Sequence, residues 1–151
     1  MTVTVSAETT YGGQWEEHSV TVPVEVIGAS LPEQKLIHTE WFYCDCIADY
    51  YHVTPWSEEH WKLVEGQIRT AAKYGVNMLL TPIFTPALDT AVGHERTTEQ
   101  LVDVTRENGK YSFGFEKLER WVKLCLSCGI KYFEMAHLYS QWGAKHCPKI
   151  M

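Results

Sequence analysis

Histidine, acidic and aromatic residues are concentrated where one apolar segment of the chain ends. The run KLIHTEWFYCDCIADYYHV (35–53) predicts a short strand, Leu36–Phe42, that gives way to a loop. The side chains in this run that could do chemistry are those of His38, Glu40, Trp41, Asp45 and Asp49. Carboxylates accept hydrogen bonds from hydroxyl groups, and an aromatic face packs well against a sugar ring. The run is therefore typical of a pocket that handles sugars.

A second group of the same kind follows a later apolar segment, IKYFEMAHL (130–138). Glu134 and His137 lie near the end of this predicted strand, and Trp142 follows shortly after it. In the strand of the first group, alternation places His38 and Glu40 on one side, where they would line the interior or the mouth of a barrel. For the first group the alternative is a buried polar pair that only holds the strand end in place, because an unpaired buried charge is costly. For the second group the alternative is a core histidine with a surface glutamate.

The elements that position these groups alternate between strand and helix after residue 33. Ser57 is a suitable N-cap for a first helix that ends at Gly75, and strand 76–84 follows. A second helix, 115–128, ends at Gly129 before strand 130–138. Apolar strands joined by amphipathic helices predict a parallel sheet, which an open doubly wound sheet and a (β/α)8 barrel share. Polar groups at the strand ends favour the barrel.

Two further segments have their own signals. The first thirty residues alternate with period two, which predicts the end of an antiparallel β module. Between the second strand and second helix, Asn108-Gly109 separates two short strand-like runs and predicts a hairpin. Arg96, in the same connection, is expected to be a solvated loop residue, although it could also meet an anionic or hydroxyl-rich ligand.

Composition excludes several classes of function. Hydrophobic residues make up 45% and charged residues 21% of the 151 residues, which is typical of a globular chain. A net charge of −6 and the lack of a basic run argue against nucleic-acid or anionic-membrane binding. The sequence has no apolar run of membrane-spanning length. It has no GxSxG motif for acyl transfer and no glycine-rich loop that would hold the phosphates of a nucleotide. No cofactor is expected. Five cysteines, an odd number, favour free thiols in a reducing compartment, the cytoplasm.

The cysteine spacing leaves one metal or redox alternative open. Cys44 and Cys46 form a CxC pair, and Cys125 and Cys128 form a CxxC pair. Four such thiols would suit zinc only if the two pairs converged, and a redox CxxC usually opens a helix rather than closing one. We therefore expect no metal site.

Several long runs of this sequence resemble proteins of the glycoside hydrolase family 123-like group. They are HTEWFYCDCIADYY, SEEHW, NMLLTPIFTPALDT, LVDVTRENGKYSFGFEKLERWV and GIKYFEMAHLYSQWGAKH, within residues 20–150. The resemblance implies a β-sandwich module followed by a (β/α)8 barrel. It also implies retaining β-N-acetylgalactosaminidase activity without a metal. In that mechanism the 2-acetamido oxygen of the substrate attacks the anomeric carbon, while an adjacent Asp-Glu pair orients the acetamido group and acts as acid/base, an exception to the usual two-carboxylate scheme.

This sequence contains no Asp-Glu dipeptide, and the resemblance places that pair further along the barrel. We therefore assign no catalytic residue. Pocket-lining roles are predicted for His38, Glu40, Trp41, Asp45, Glu134, His137 and Trp142. We expect a fragment that is inactive alone, with residues 1–32 ending the β module and residues 33–151 forming about three strand–helix units of a truncated TIM-type barrel.

Two alternatives and one further expectation follow from this interpretation. A non-catalytic carbohydrate-binding or structural barrel protein would keep the barrel opening without the chemistry. A small zinc or redox module would use the four paired cysteines instead. An incomplete barrel exposes an open strand edge and apolar surface, so self-association through that edge is expected alongside binding of a carbohydrate substrate.

Overall fold

The computed structural model describes residues 1–32, 35–88, 90, 94–139 and 147–151. The chain divides into two compact units, Met1–Glu33 and Gln34–Met151. The first unit contains an antiparallel hairpin of β1 (Thr2–Thr10) and β2 (Gln14–Thr21). Gly12 and Gly13 turn the chain with φ values of 101° and 136°, which glycine adopts without strain. β2 ends at Thr21, two residues before Pro23. The observed strand is therefore shorter than the period-two pattern of the sequence predicts.

The second unit is a mixed α/β fold built on three parallel strands. In chain order its elements are β3 (Thr39–Glu40), α1 (Cys44–Tyr51), α2 (Glu58–Lys73), β4 (Met78–Thr81), β5 (Asp103–Glu107), β6 (Lys110–Gly114), α3 (Glu116–Ser127) and β7 (Tyr132–Met135). The strand order in the sheet is β3-β4-β7, and both pairings are parallel. Parallel pairing is therefore confirmed, whereas three strands do not establish the predicted barrel.

The helices cover one face of this sheet. Leu79 of β4 pairs with Phe133 of β7, and both pack into the apolar core that α2 and α3 form above them. That core contains Val64, Ile68, Trp121, Cys125 and Ile130. Because directly opposed residues of parallel strands point to the same face, Leu80 and its partner Glu134 lie on the opposite face.

The predicted helices begin and end close to their sequence signals. The Ser57 hydroxyl accepts a hydrogen bond from the backbone N–H of His60 at 3.2 Å, and caps α2. Gly75 and Gly129 follow α2 and α3 with φ values of 93° and 99°, a conformation that is costly for residues with a Cβ. Asn108 and Gly109 have φ values of 49° and 78°, so the hairpin turn between β5 and β6 is also confirmed.

The segment around β3 differs from its prediction in two respects. The strand covers two residues rather than Leu36–Phe42, because the side chain of Asn77 takes the place of strand pairing before it. Its Oδ1 accepts from the backbone N–H of His38 at 2.8 Å, and its Nδ2 donates to the carbonyl of Leu36 at 2.7 Å. In place of the expected loop after the strand, the chain forms α1, whose C-cap residue, His52, has a left-handed conformation.

Within the described part of the chain, no helix has both the length and the apolar character needed to cross a membrane.

Candidate functional site

Four residues from two strand ends meet on the sheet face opposite the helices. The Thr39 hydroxyl of β3 donates to Glu134 Oε2 of β7 at 2.8 Å, across the intervening β4. The ring of Trp41, just after β3, makes an edge contact with the ring of His137, just after β7, at 5.3 Å between centroids. We call Thr39, Trp41, Glu134 and His137 the strand-end cluster. It brings together three of the predicted pocket residues and adds Thr39.

The strand-end cluster is partly open to solvent and has polar atoms to spare. The side chain of Glu134 is 24% exposed and that of His137 is 38% exposed. Glu134 Oε1 lies 3.6 Å from His137 Nε2, which is longer than a hydrogen bond. His137 Nδ1 is buried and has no hydrogen-bond partner among the described residues. A carboxylate oxygen and an imidazole beside a tryptophan ring can therefore meet hydroxyl groups of a ligand.

His38 and Glu40 form a separate pair. Their side chains are bonded to each other, with 3.1 Å between His38 Nε2 and Glu40 Oε1. Glu40 pairs in register with Leu79, whose side chain packs under the helices, so Glu40 lies on the helix side of the sheet. His38 and Glu40 therefore lie together, as expected from the alternation of side chains along the strand. However, they lie on the helix side of the sheet, whereas Glu134 lies on the opposite face.

Asp45 lies in a buried ion pair at the beginning of α1. Arg96, from the connection after β4, donates from Nε to Asp45 Oδ2 at 2.7 Å and from Nη2 to Oδ1 at 2.6 Å. The side chains are 11% and 4% exposed. Arg96 also donates to the carbonyl of Leu88 at 2.6 Å and lies over the ring of Tyr43 at 4.2 Å. The expectation of a solvated Arg96 is therefore wrong.

The environment of Arg96 fixes its charge. Burial on its own lowers the pKa of Arg96, but the hydrogen bonds and the negative charge of Asp45 more than offset it, so the pKa is raised overall. A bidentate pair of this geometry is among the stronger polar contacts in proteins. It connects the segment that follows β3 to the segment that follows β4, at the carboxyl edge of the sheet.

Glu99 lies beside this pair and is fully buried. Its Oε2 accepts from the backbone N–H of Asp45 at 2.7 Å, in the first turn of α1, whereas its Oε1 has no partner among the described residues. Burial, followed by the charge of Asp45, raises the pKa of Glu99 to about 8, although the Asp45 N–H and the Arg96 charge act against this rise. Glu99 is not predicted by the sequence, since a glutamate in the polar run GHERTTEQ gives no sign of burial.

His60 of α2 and Trp56, which precedes that helix, also form hydrogen bonds to the residues around Asp45 and Glu99. His60 is buried, and its Nδ1 accepts from the backbone N–H of Trp56 at 2.9 Å. Its Nε2 must then carry the proton, which it donates to the carbonyl of Cys44 at 2.9 Å. Burial lowers the pKa of His60, consistent with a neutral ring. The Trp56 indole N–H donates to the carbonyl of Glu99 at 3.2 Å.

Two of the paired cysteines, Cys44 and Cys125, behave as core thiols. Burial raises the pKa of Cys44 well above its ordinary value and that of Cys125 to about 12, so neither is a thiolate at neutral pH. Both belong to the apolar core. The described residues contain no group of three or more His, Cys, Asp or Glu side chains that could hold a metal ion. Cys44 and Cys125 are therefore part of the core packing.

Two cavities differ in their relation to these groups. One of about 650 Å³ lies between α2 and α3, on the outer side of the helices. A smaller one of about 290 Å³ lies beside Arg96 at the carboxyl end of β4, and its lining includes Thr85, Thr90, His94 and Lys149. Only the smaller cavity lies near the strand ends. Trp142, the remaining predicted pocket residue, lies outside the described residues.

The fold and these side chains define a parallel α/β protein whose polar groups collect where its strands end. The chain belongs to glycoside hydrolase family 123, because the model of the glycoside hydrolase 123 catalytic domain matches residues 41–151. The resemblance noted in the sequence is therefore confirmed. No curated protein matches the chain with significant similarity.

A solved structure of a family 123 glycoside hydrolase from Clostridium perfringens, studied for the details of glycolipid glycan hydrolysis, is similar in fold. The TM-score is 0.62 at 13% sequence identity, and the similarity covers 99% of this chain. It covers 29% of the Clostridium chain, so this chain spans less than a third of that protein's length. At this identity the likeness concerns the fold alone.

Proposed function

We propose that this chain is part of a glycoside hydrolase that acts on β-linked N-acetylhexosaminides, and that the strand-end cluster forms part of its sugar pocket. The observation that carries the proposal is the contact of the Trp41 ring with the ring of His137, which lies beside Glu134, at the carboxyl ends of β3 and β7. Family 123 membership and the glycolipid-glycan hydrolase of similar fold support a carbohydrate substrate.

In this proposal the chain's residues bind and orient the sugar rather than break the glycosidic bond. A Glu134 oxygen accepts hydrogen bonds from sugar hydroxyls, and the Trp41 ring, which is 39% exposed, packs against the sugar ring. The retaining, substrate-assisted step needs an Asp-Glu pair, and these 151 residues contain none. The residues shown here are therefore inactive alone, with neither metal nor other cofactor involved.

The wider architecture is also proposed. Residues 33–151 would form the first part of a (β/α)8 barrel, with residues 1–32 as the end of a preceding β module. The parallel order β3-β4-β7, with α2 and α3 covering one face, supports this assignment. In such a barrel the strand-end cluster lies on the inner face, where Leu80 also points. Self-association would use the outer edges of β3 and β7, and the cytoplasm would be the compartment.

The other predicted pocket residues take lesser or undecided roles in this proposal. His38 and Glu40 would support the pocket only by holding β3 in place, because their bonded pair lies on the helix side of the sheet, away from the strand-end cluster. Asp45 would act through the segment that it holds, since Arg96 occupies both of its carboxylate oxygens. Trp142 remains a proposed pocket residue on sequence grounds.

A binding titration tests the pocket. Methyl β-N-acetylgalactosaminide is added to the chain, and the indole N–H signals are followed by NMR. The Trp41→Ala substitution removes the ring and should weaken sugar binding roughly 2- to 10-fold, the range expected from a lost aromatic contact. Trp15→Ala is the matched control, because Trp15 is an exposed tryptophan of the β1–β2 hairpin. Equal affinities for the two variants would refute the pocket assignment.

Hydrolysis separates the enzyme from its non-catalytic alternative. A longer protein that contains this chain and an Asp-Glu pair should release the sugar from a β-linked N-acetylgalactosaminide, and replacing that pair should abolish release. Sugar binding without hydrolysis would instead support a carbohydrate-binding protein with the same fold.

A further inference from the structure

Three ionisable side chains at the start of α1 share one buried site but contain only one permanent cation. Arg96 occupies both oxygens of Asp45, and Glu99 lies against the backbone N–H of the same aspartate. With Glu99 neutral, the charges of Asp45 and Arg96 cancel. With Glu99 ionised, the site carries an uncompensated negative charge, which is costly away from water.

Among the described residues, no other group that faces Glu99 supplies a second positive charge. Cys44 and Cys46, on α1, are thiols whose pKa values are raised, chiefly by burial. His60, on α2, reaches the site only through the carbonyl of Cys44, and its pKa is lowered by burial. Thr85, from the connection after β4, contributes a hydroxyl that accepts from the Glu99 N–H at 2.9 Å.

The position of Glu99 links this charge balance to the proposed sugar pocket. Asp45 lies four residues after Trp41, and its N–H is one of the backbone donors at the start of α1 that have no partner within the helix. Tyr43, the N-cap residue, makes no side-chain capping bond. Glu99 provides that bond from the connection after β4, so it fixes the start of α1 and the short segment between it and Trp41.

We propose that Glu99 is a proton-dependent positioning residue, which holds the Trp41 segment against the strand-end cluster while its carboxyl group is neutral and loosens it on ionisation. The positioning part stands on the contacts above, and only its effect on sugar binding rests on the proposed function. In the folded protein the pKa of Glu99 is raised to about 8, from an ordinary value near 4.5, with burial as the largest cause.

The sign of the resulting pH dependence follows from linkage. The folded state keeps the proton of Glu99 between about pH 4.5 and pH 8, while the unfolded state has lost it. The stability contributed by Glu99 is therefore full below pH 4.5, falls as the pH rises and is exhausted above pH 8. From pH 6 to pH 8, this corresponds to a loss of roughly 5–10 °C in Tm.

Two measurements on the chain test the proposal. In the first, the side-chain carboxyl carbon of Glu99 is titrated by 13C NMR, with a midpoint expected near pH 8. In the second, the indole N–H of Trp41 is followed over the same pH range and is expected to shift with the same midpoint. Because both use the unaltered chain, the test does not depend on a variant that folds.

Variants complete the design. Glu99→Gln keeps the shape but cannot ionise, so the alkaline shift of Trp41 should disappear and Tm should fall less from pH 6 to pH 8. Glu65→Gln is the matched control, because Glu65 is an exposed partner of Arg69 on α2 and should leave both readouts unchanged.

The outcomes separate this inference from the pocket assignment. A Glu99 midpoint below pH 5 would overturn the proton-dependent role, and a titrating Glu99 without a Trp41 response would overturn the positioning role. A Trp41 response without sugar binding at any pH would leave the positioning of the segment standing and would refute the proposed pocket.

Discussion

Removal of Arg96 is the perturbation for which the structure gives the clearest magnitude. The guanidinium donates two hydrogen bonds to Asp45 and one to the Leu88 carbonyl, and it covers the Tyr43 ring. Arg96→Gln would leave the Asp45 carboxylate buried without a cation. Losing one partner of a buried ion pair costs about 3–5 kcal/mol, which is a large part of the stability of an ordinary domain.

The assay is urea unfolding at pH 7, followed by tryptophan fluorescence. The matched control is Arg69→Gln, because Arg69 also donates two hydrogen bonds to a carboxylate, both to Oε1 of Glu65, but on the solvent-facing surface of α2. Exposed pairs contribute little to stability, so the control should unfold almost as the unaltered chain does.

A double-variant cycle shows whether the ion pair itself is responsible. Arg96→Gln leaves the Asp45 carboxylate unpaired, and Asp45→Asn removes that charge. The double variant should therefore lose less stability than the two single variants combined. The reasoning would be refuted if Arg96→Gln cost no more than Arg69→Gln, or if the costs at Asp45 and Arg96 were simply additive.

Two other predictions concern a helix cap and the thiols. Ser57→Ala should lower the free energy of unfolding by about 1 kcal/mol, because α2 loses its cap. The control, Ser127→Ala at the exposed end of α3, should lower it clearly less. Equal losses in the same urea assay would contradict the cap assignment. At pH 8 a colorimetric thiol reagent should label exposed Cys46 in the folded chain and Cys125 only after unfolding. The reason is that Cys125 is buried and burial raises its pKa to about 12. Labelling of both cysteines at similar rates, read by peptide mass spectrometry, would show that the core opens readily.

Elements with local signals could be predicted from the sequence. Ser57 and Gly75 bound α2 because a cap hydroxyl and a positive φ are requirements of the residue itself. Asn108-Gly109 likewise determines the hairpin turn within four residues of chain. The parallel order of the strands followed from their alternation with helices.

Features that depend on distant residues could not be predicted in the same way. The length of β3 is set by the Asn77 side chain, and the burial of Arg96 by a carboxylate 51 residues away. Neither partner can be read from the local pattern. In the candidate site, the residue types at the strand ends were informative, but the register that places Thr39 rather than Glu40 beside Glu134 required the sheet.

The span of the Thr39–Glu134 bond bears on the order in which the chain assembles during synthesis. The bond joins residues 95 positions apart, whereas the Asp45–Arg96 pair joins residues 51 apart. On the ribosome, both partners of the ion pair are synthesised before Glu134. Longer-range contacts also close more slowly, since their loop entropy must be overcome first. We therefore expect a nascent chain to form the Asp45–Arg96 pair early and to complete the strand-end cluster last.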